Sequence, residues 1–419
     1  MMAVRDVEGR GGEQALAGIR VVEFSSAMAG PWIGRFMAWA GAEVVRVESA
    51  KHPDVVRQYV PPWAPELGTQ PQLSPWFTDW NAGKRFVALD LSRPRAIEIA
   101  RRLVGICDLV IENYSGGVVD RLGLGYEDLR AVKPDLIMLS TSGYGRDGPC
   151  SGYVTWGPNI EALSGSSRAS GFPHRECTVT QFAYPDGVSA LHGLFVVLAA
   201  LDYRTRSGRG QFIDVSQYEA TVSSMGQPML DFLANGEEPR PMGNRASAAA
   251  PHGCFRCAGD DAWCAISVGG EEEWRSLCRV AGRPDWAADE RFASLSERIE
   301  NQEALDQELT RWTSCLTAYE VMESLQGAGV AAGVVQNAED LAWRDRQLAD
   351  RGFLEQIEHH KKGRVIATGV PFGLGATPGR SGAAGSAIGQ DNHYVFGELL
   401  GMSAAEIEES VRAGAIETG

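Results

Sequence analysis

The first half of this chain sets the tightest limit on its fold, because short apolar runs alternate there with helical patterns. Gly18–Phe24, Ala42–Glu48, Asp108–Ile111, Asp135–Ser140 and Gln211–Val215 read as buried strands. Between them lie a helix starting near Pro31, whose missing N–H is not needed at a first helical position, and the helical stretches Ser92–Leu103, Tyr126–Val132 and Gly187–Tyr203. Strand–helix alternation of this kind predicts an α/β fold with a mostly parallel sheet and helices on both faces. The stretch Gly187–Tyr203 is apolar almost all round, which predicts burial, and Gly208 and Gly210 end it.

From about Pro239 the pattern changes. Two short β-like runs, Gly253–Cys257 and Trp263–Val268, precede an acidic helical region from Glu271 to Leu325. The tail returns with Val365–Val370, a Gly-, Ala- and Ser-rich loop from Gly373 to Gly389, and a last helix, Ser403–Ala413. The expected division is a large domain over 1–220, a linker at 221–240, a small α+β domain over 241–335, a linker at 336–350, and a return to the large domain over 351–419. A glycine-rich loop that long is expected to be mobile or functional.

The net charge of −15 argues against nucleic acid or an anionic membrane surface as partner. Eight cysteines dispersed through 419 residues suit free thiols in a reducing compartment better than a disulfide scaffold. The leader Met1–Gln14 is polar, and no apolar run reaches the ~20 residues that span a bilayer. The cytoplasm is the expected compartment.

Several chemistries lack their residues. The loop Ser25–Pro31 has no Gly-x-Gly-x-x-Gly, so a dinucleotide is not expected, and Gly327–Gly333 follows a helix rather than a strand. Cys254 and Cys257 sit an odd number of positions apart on a strand, facing opposite ways, with no second pair to complete a zinc set. No Gly-x-Ser-x-Gly appears in Leu163–Ser167, and the seven histidines do not cluster.

Asp186, in Phe182-Ala-Tyr-Pro-Asp-Gly187, precedes the long helix. An aspartate there is ordinarily an N-cap, yet a carboxylate at the mouth of a buried helix also serves as a nucleophile. The local residues leave both roles open.

At these positions the sequence resembles the family III CoA-transferases (CaiB/BaiF type), the group that includes formyl-CoA:oxalate and carnitine CoA-transferases. The resemblance runs from Leu16 to the C-terminus. It is carried by Leu16–Phe24 with Ala29-Gly-Pro31, Gly41–Glu48, Asn81–Arg85 with Leu89-Asp-Leu91, Glu112–Gly117 with Asp120–Gly123, and Ser142–Gly145. The densest part is Asp186 followed by Leu198–Leu201 and Arg204–Gln211. It implies a Rossmann-like large domain with a smaller α+β domain, and two chains interlocked as a homodimer, with room for a heteromer with a paralogous subunit.

By the same resemblance Asp186 is the catalytic nucleophile, and Ala29, Leu89, Asn113, Tyr114, Arg121 and Leu122 hold the CoA, with Lys84 and Arg85 adding to the phosphate field. Trp156, with Ala248 and Ala249 of the loop Asn244–Ala250, is the expected substrate wall or lid, with Phe182 or Tyr184 adding to it. No metal and no permanently bound cofactor is implied; acyl-CoA and a carboxylic acid are the substrates.

The implied reaction passes through an aspartyl anhydride and an aspartyl-CoA thioester, with backbone N–H groups near Asp186 and Gly187 stabilising oxyanions. The family's racemases use a histidine where this chain has Trp156–Asn159, so racemase or isomerase activity is the disfavoured alternative; a catalytically silent CoA-binding subunit is the other. Alanines in 246–250 in place of a glycine loop, and Ser26 and Ser49 in place of other CoA contacts, point away from the oxalate/formate pair. Trp156 and the Ala-rich loop, as an apolar pocket wall, point to a larger, partly apolar acid, with succinyl-CoA as donor.

Overall fold

A computed structural model describes residues 13–59, 74–180, 182–238, 240–385 and 387–418. The leader up to Gly12 and the breakpoint Pro239 lie outside them. The described residues divide into two compact units: one lies within 1–167, 179–234 and 346–419, the other within 168–178 and 235–345. The short stretch Arg168–Thr178 therefore goes with the smaller unit. The stretches 221–240 and 336–350, expected as linkers, are largely helical, with Gln217–Ser224, Gly226–Asn235, Ala338–Trp343 and Arg346–Arg351.

The larger unit is built on six strands: β1 (Arg20–Phe24), β2 (Glu43–Glu48), β3 (Arg85–Ala88), β4 (Leu109–Glu112), β5 (Ile137–Ser142) and β6 (Phe212–Ser216). All pair in parallel in the order β3-β2-β1-β4-β5-β6. The mixed α/β expectation holds, and this order is the doubly wound one. β3 has no counterpart among the expected strands, being only four residues long.

Because side chains alternate along a strand, each face carries its own core. Val22, Phe24, Val45, Val110 and Met138 pack on one side with the helix α1 defined by Pro94–Gly105 and with Phe396 and Ile416 of the C-terminal return. Helix α1 buries Ala96, Ile99, Ala100, Leu103 and Val104, a clean i, i+3, i+4 stripe. Val21, Val44, Ile111 and Leu139 pack on the other side. They meet Ile33 and Met37 of the helix Ala29–Trp39 and Ala190 and Val197 of the long helix α2, Tyr184–Ser207.

Helix α2 departs from expectation in three ways. It starts three residues earlier and ends four later than the apolar run. Its N-cap is Ala183, so Asp186 is inside the first turn and not the cap. Its burial is one-sided: Ala190, Gly193, Val197, Ala200 and Leu201 face the sheet, while Leu191, Phe195 and Leu198 are 58, 72 and 42 % exposed. At 24 residues it is long and apolar enough to cross a membrane by length and composition, contrary to the count from the sequence, but its inner side is committed to the sheet.

The smaller unit is an antiparallel sheet of His252–Arg256, Trp263–Ser267 and Ala331–Val334, covered by helices that include Glu271–Val280, Gln302–Thr313 and Ala318–Gly327. Its core is Trp274, Leu277, Trp286, Phe292, Leu305 and Leu309, with buried Cys257 and Cys264. Cys254 is exposed.

The glycine-rich tail is docked by its backbone: the Gly83 N–H donates to the Ala383 carbonyl (2.7 Å) and the Gly385 N–H to that of Thr78 (2.8 Å). A Cβ on Gly382 would come within 2.6 Å of the Gly83 Cα. Close packing of backbone on backbone is what the glycine is for.

Gly193 is the point where α2 crosses the helix Ala29–Trp39; an added Cβ would lie 2.7 Å from the Ile33 Cδ1. Gly193→Val should therefore destabilise the larger unit by about 1–3 kcal/mol, read as a lower denaturation midpoint.

Candidate active site

Strand order reverses between β1 and β4: β2 and β3 run off one way, β5 and β6 the other. The loops that leave the carboxyl ends of β1 and β4 therefore part and leave a crevice. Two side chains and one ion cluster hold the first of these loops. The Ser26 N–H donates to the Asn113 Oδ1, and the Asn113 Nδ2 donates to the Ser26 carbonyl, both at 2.8 Å. The Ala27 N–H donates to both Asp54 carboxylate oxygens, at 3.2 and 3.1 Å. The Ser25 carbonyl accepts from Arg46 at 3.0 Å. Ala27 needs this support, since its φ of 60° is a left-handed conformation that costs a residue with a Cβ.

Beneath the loop lies a fully buried ionic cluster. Arg46 pairs with Glu23 (3.3 Å) and with Asp54, and Lys84 donates to Glu23, to the Pro31 carbonyl (each 2.8 Å) and to Asn81 (2.9 Å). Burial alone would raise the Glu23 pKa, but Lys84 and Arg46 overcome it and keep the carboxyl below its ordinary value. Burial also pulls Lys84 down to about 8. Such a cluster persists because every charge is matched; removing one member would strand the others. Lys84 is thus an internal ion and not part of a surface phosphate field. Arg85 is exposed and pairs with Asp391.

The loop ends at Ala29, which is fully buried and begins its helix. Its backbone N–H faces the carboxylate of Asp186, which also accepts from its own N–H. Burial raises the Asp186 pKa to about 6, only partly offset by those two bonds. Gly157 stands against the carboxylate, where a Cβ would lie 3.2 Å from its Oδ2, so the glycine keeps the approach open. The Gly187 N–H, expected as an oxyanion donor, is taken by the Ala183 carbonyl at 3.2 Å. The N–H groups of Ala29 and Asp186 are the backbone donors that act on the carboxylate.

Asp186 opens into a cavity of about 530 Å³, also lined by Asn113, Tyr114, Trp156 and Gln217. A second cavity of about 340 Å³ holds Leu89, Leu122, Ser49 and His52. Ser26 and Tyr114 line both. Of the expected CoA residues, Leu89, Asn113, Tyr114 and Leu122 thus come together along two adjoining cavities. Ala29 offers only its backbone. Arg121 is exposed, lies over Gly117, and lines neither cavity. Trp156 lines the first cavity. Ala248 and Ala249 belong to the smaller unit and line neither. Sequence reasoning missed Asp54, Arg46 and Glu23, whose partners lie far away in the chain, and also Tyr59, Trp76 and Trp80, which no motif marks.

A sequence model described as CoA-transferase family III matches residues 16–392. The succinyl-CoA–D-citramalate CoA-transferase of Chloroflexus aurantiacus is 31% identical over 92% of this chain and 94% of its own length. The succinyl-CoA–L-malate CoA-transferase alpha subunit of the same organism is 31% identical over 96% and 92%. Among solved structures, a CaiB/BaiF family protein from Brucella suis superposes with a TM-score of 0.83 at 29% identity, covering 92% of this chain and all of the other.

A carboxyl with a pKa near 6 favours the neutral form in the folded state, so ionising it costs stability as pH rises from its ordinary 3.8 through about 6. Carbon-13 NMR of aspartate-labelled protein should show two carboxyls titrating near pH 6, those of Asp186 and Asp306, of which only one remains in Asp186→Asn. That variant should melt higher than the parent at neutral pH, with the gap closing below about pH 4.

Proposed function

The chain belongs to CoA-transferase family III and is a CoA-transferase, and on that premise we propose that Asp186 is the nucleophile that carries CoA from one carboxylic acid to another. The observation that carries the proposal is a partly desolvated carboxylate with an aimed backbone N–H, at the wall of a cavity large enough for an acyl group.

In the proposed cycle an Asp186 oxygen attacks the donor's thioester carbon. The C–S bond breaks, CoA thiolate leaves, and an acyl-aspartyl anhydride remains. The thiolate then attacks the Asp186 carbonyl carbon, expelling the donor acid as its carboxylate and leaving an aspartyl-CoA thioester. The acceptor carboxylate attacks that carbonyl and displaces the thiolate, forming a second anhydride. Thiolate attack on the acceptor's acyl carbon releases the new acyl-CoA and restores the Asp186 carboxylate. The Ala29 N–H stabilises the oxyanion that forms on Asp186. Desolvation makes the carboxylate more reactive, and the two bonds it accepts keep enough of it ionised at neutral pH. The cycle needs no permanently bound cofactor.

The nucleotide end of CoA is assigned to the cavity of Leu89 and Leu122, and the acyl end to that of Asp186, with pantetheine passing Ser26 and Tyr114. Succinyl-CoA is the proposed donor, in keeping with the names of both Chloroflexus relatives, and the proposed acceptor is a larger, partly apolar acid. The proposed assembly is an interlocked homodimer. In support, Leu191, Phe195 and Leu198 of α2 and Leu230 and Leu233 of the helix Gly226–Asn235 are apolar side chains left exposed on the single chain. The alpha-subunit name of one relative keeps a paralogous partner in view. The proposed compartment is the cytoplasm, where eight free thiols are stable.

Incubation with succinyl-CoA, then hydroxylamine and peptide mass spectrometry, should find the hydroxamate on Asp186. Asp186→Ala should lose the label and more than about 10⁴-fold in turnover. An unlabelled Asp186 would refute the assignment. By light scattering the chain should show twice its 45.2 kDa, and Phe195→Glu should break that species.

A further inference from the structure

The acyl cavity has an unusual wall. Six aromatic residues line it: Tyr59, Trp76, Trp80, Tyr114, Tyr153 and Trp156. Three of them form a ladder. Trp76 lies between Tyr59 (centroids 4.0 Å apart, planes 9°) and Trp80 (5.5 Å, 14°). Trp32 meets Trp80 edge-on at 6.0 Å and 86°, and stands 6.1 Å from Phe182. A Cβ on Gly187 would lie 3.6 Å from the Trp32 ring, so the ladder abuts the turn that carries Asp186. Trp76 is stacked with both neighbours, which holds its ring within the ladder at the cavity wall.

The wall has no cation to match. Among the described residues no lysine, arginine or histidine lines this cavity, and Asp186 is its one carboxylate. The nearby cations Arg46 and Lys84 are buried and committed to Glu23 and Asp54. An acid with a second carboxylate held against this wall would lose water and gain no counter-charge. An aromatic ring would gain twice, by burying apolar area and by presenting its electron-rich face to indole and phenol edges.

Tyr59 and Trp76 are 43 and 41 % exposed, so the cavity opens to solvent beside them. A flexible dicarboxylic acyl group, succinyl or glutaryl, can leave its free carboxylate in that opening, but it then gains little from the wall. An aryl group has no charge to place there and is selected by what it touches.

We infer that the acceptor of this CoA-transferase is an aromatic monocarboxylic acid, its ring held against the Tyr59–Trp76–Trp80 ladder while its one carboxylate meets Asp186. The inference rests on the assignment of Asp186 as nucleophile and adds the class of acid that it serves.

The test measures CoA transfer from succinyl-CoA to 3-phenylpropanoate, hexanoate and glutarate, with hydroxylamine labelling of Asp186 run in parallel. The expected order in kcat/KM is 3-phenylpropanoate over hexanoate over glutarate, the first step being about tenfold. Trp76→Leu keeps the wall apolar but removes the ring; it should erase the preference of phenylpropanoate over hexanoate, and Trp76→Phe should restore part of it. Affinity for free CoA, measured by calorimetry, should stay within about twofold in Trp76→Leu.

Labelling of Asp186 with glutarate or hexanoate as the preferred acceptor overturns the aromatic class and leaves the nucleophile standing. Absent labelling overturns both. Equal loss of free CoA binding and of aryl transfer in Trp76→Leu assigns the ladder to the nucleotide and overturns the inference as well.

Discussion

Everything at this site depends on how the turn after β1 is held. A four-residue turn with an alanine in left-handed conformation does not keep its shape unaided. It is held by Asn113 from the turn after β4, by Asp54 from the turn after β2, and by Arg46 from β2 itself. The tie between Ser26 and Asn113 bridges the point where the sheet's strand order reverses. The same hydrogen bonds that stabilise the crevice therefore aim the Ala29 N–H at Asp186.

The buried ions beneath that turn serve position more than stability. Glu23 and Arg46 sit opposite each other on β1 and β2, and Asp54 and Lys84 extend the pairing outward. Replacing such a set with well-packed apolar residues often costs nothing or even stabilises, so its use is to fix geometry. Here it fixes a carbonyl and an N–H of one loop. It also consumes the cations of Arg46 and Lys84, and the described lining of the Asp186 cavity offers aromatic rings, hydroxyls and amides but no cation. A single arrangement thus sets where the carboxylate's partner points and, in the proposed reading, the class of acid that the cavity selects.

Asp186 is itself balanced between two demands. Burial pushes its pKa toward 6, which stores reactivity in a group that water would otherwise pacify, while the N–H of Ala29 and its own N–H limit that rise. Its place in the first turn of α2, and not at the cap, leaves the carboxylate on its own N–H and that of Ala29 while it lines the cavity. The helix carries the rest of the cost: one side is fitted to the sheet, the other is left apolar and uncovered on the single chain.

The parallel sheet, five of its six strand positions and the catalytic candidate were legible in the linear sequence. Buried parallel strands are continuous apolar runs, and a helix whose inner face recurs every three or four residues announces itself. Family motifs in fixed order pointed to Asp186, Asn113 and Tyr114 for the same reason, since each motif is local. What chain order could not reveal was anything made by residues distant in sequence. The ion cluster joins four separate segments, and its charges look like surface residues until their partners are known; Lys84 was misread in that way. Arg121 fits a phosphate by chemistry, and only the fold shows that it is exposed and lies over Gly117. The one-sided burial of α2 was hidden because its outer face is as apolar as its inner one. Composition records how apolar a helix is, and only tertiary packing decides which side of it meets the core.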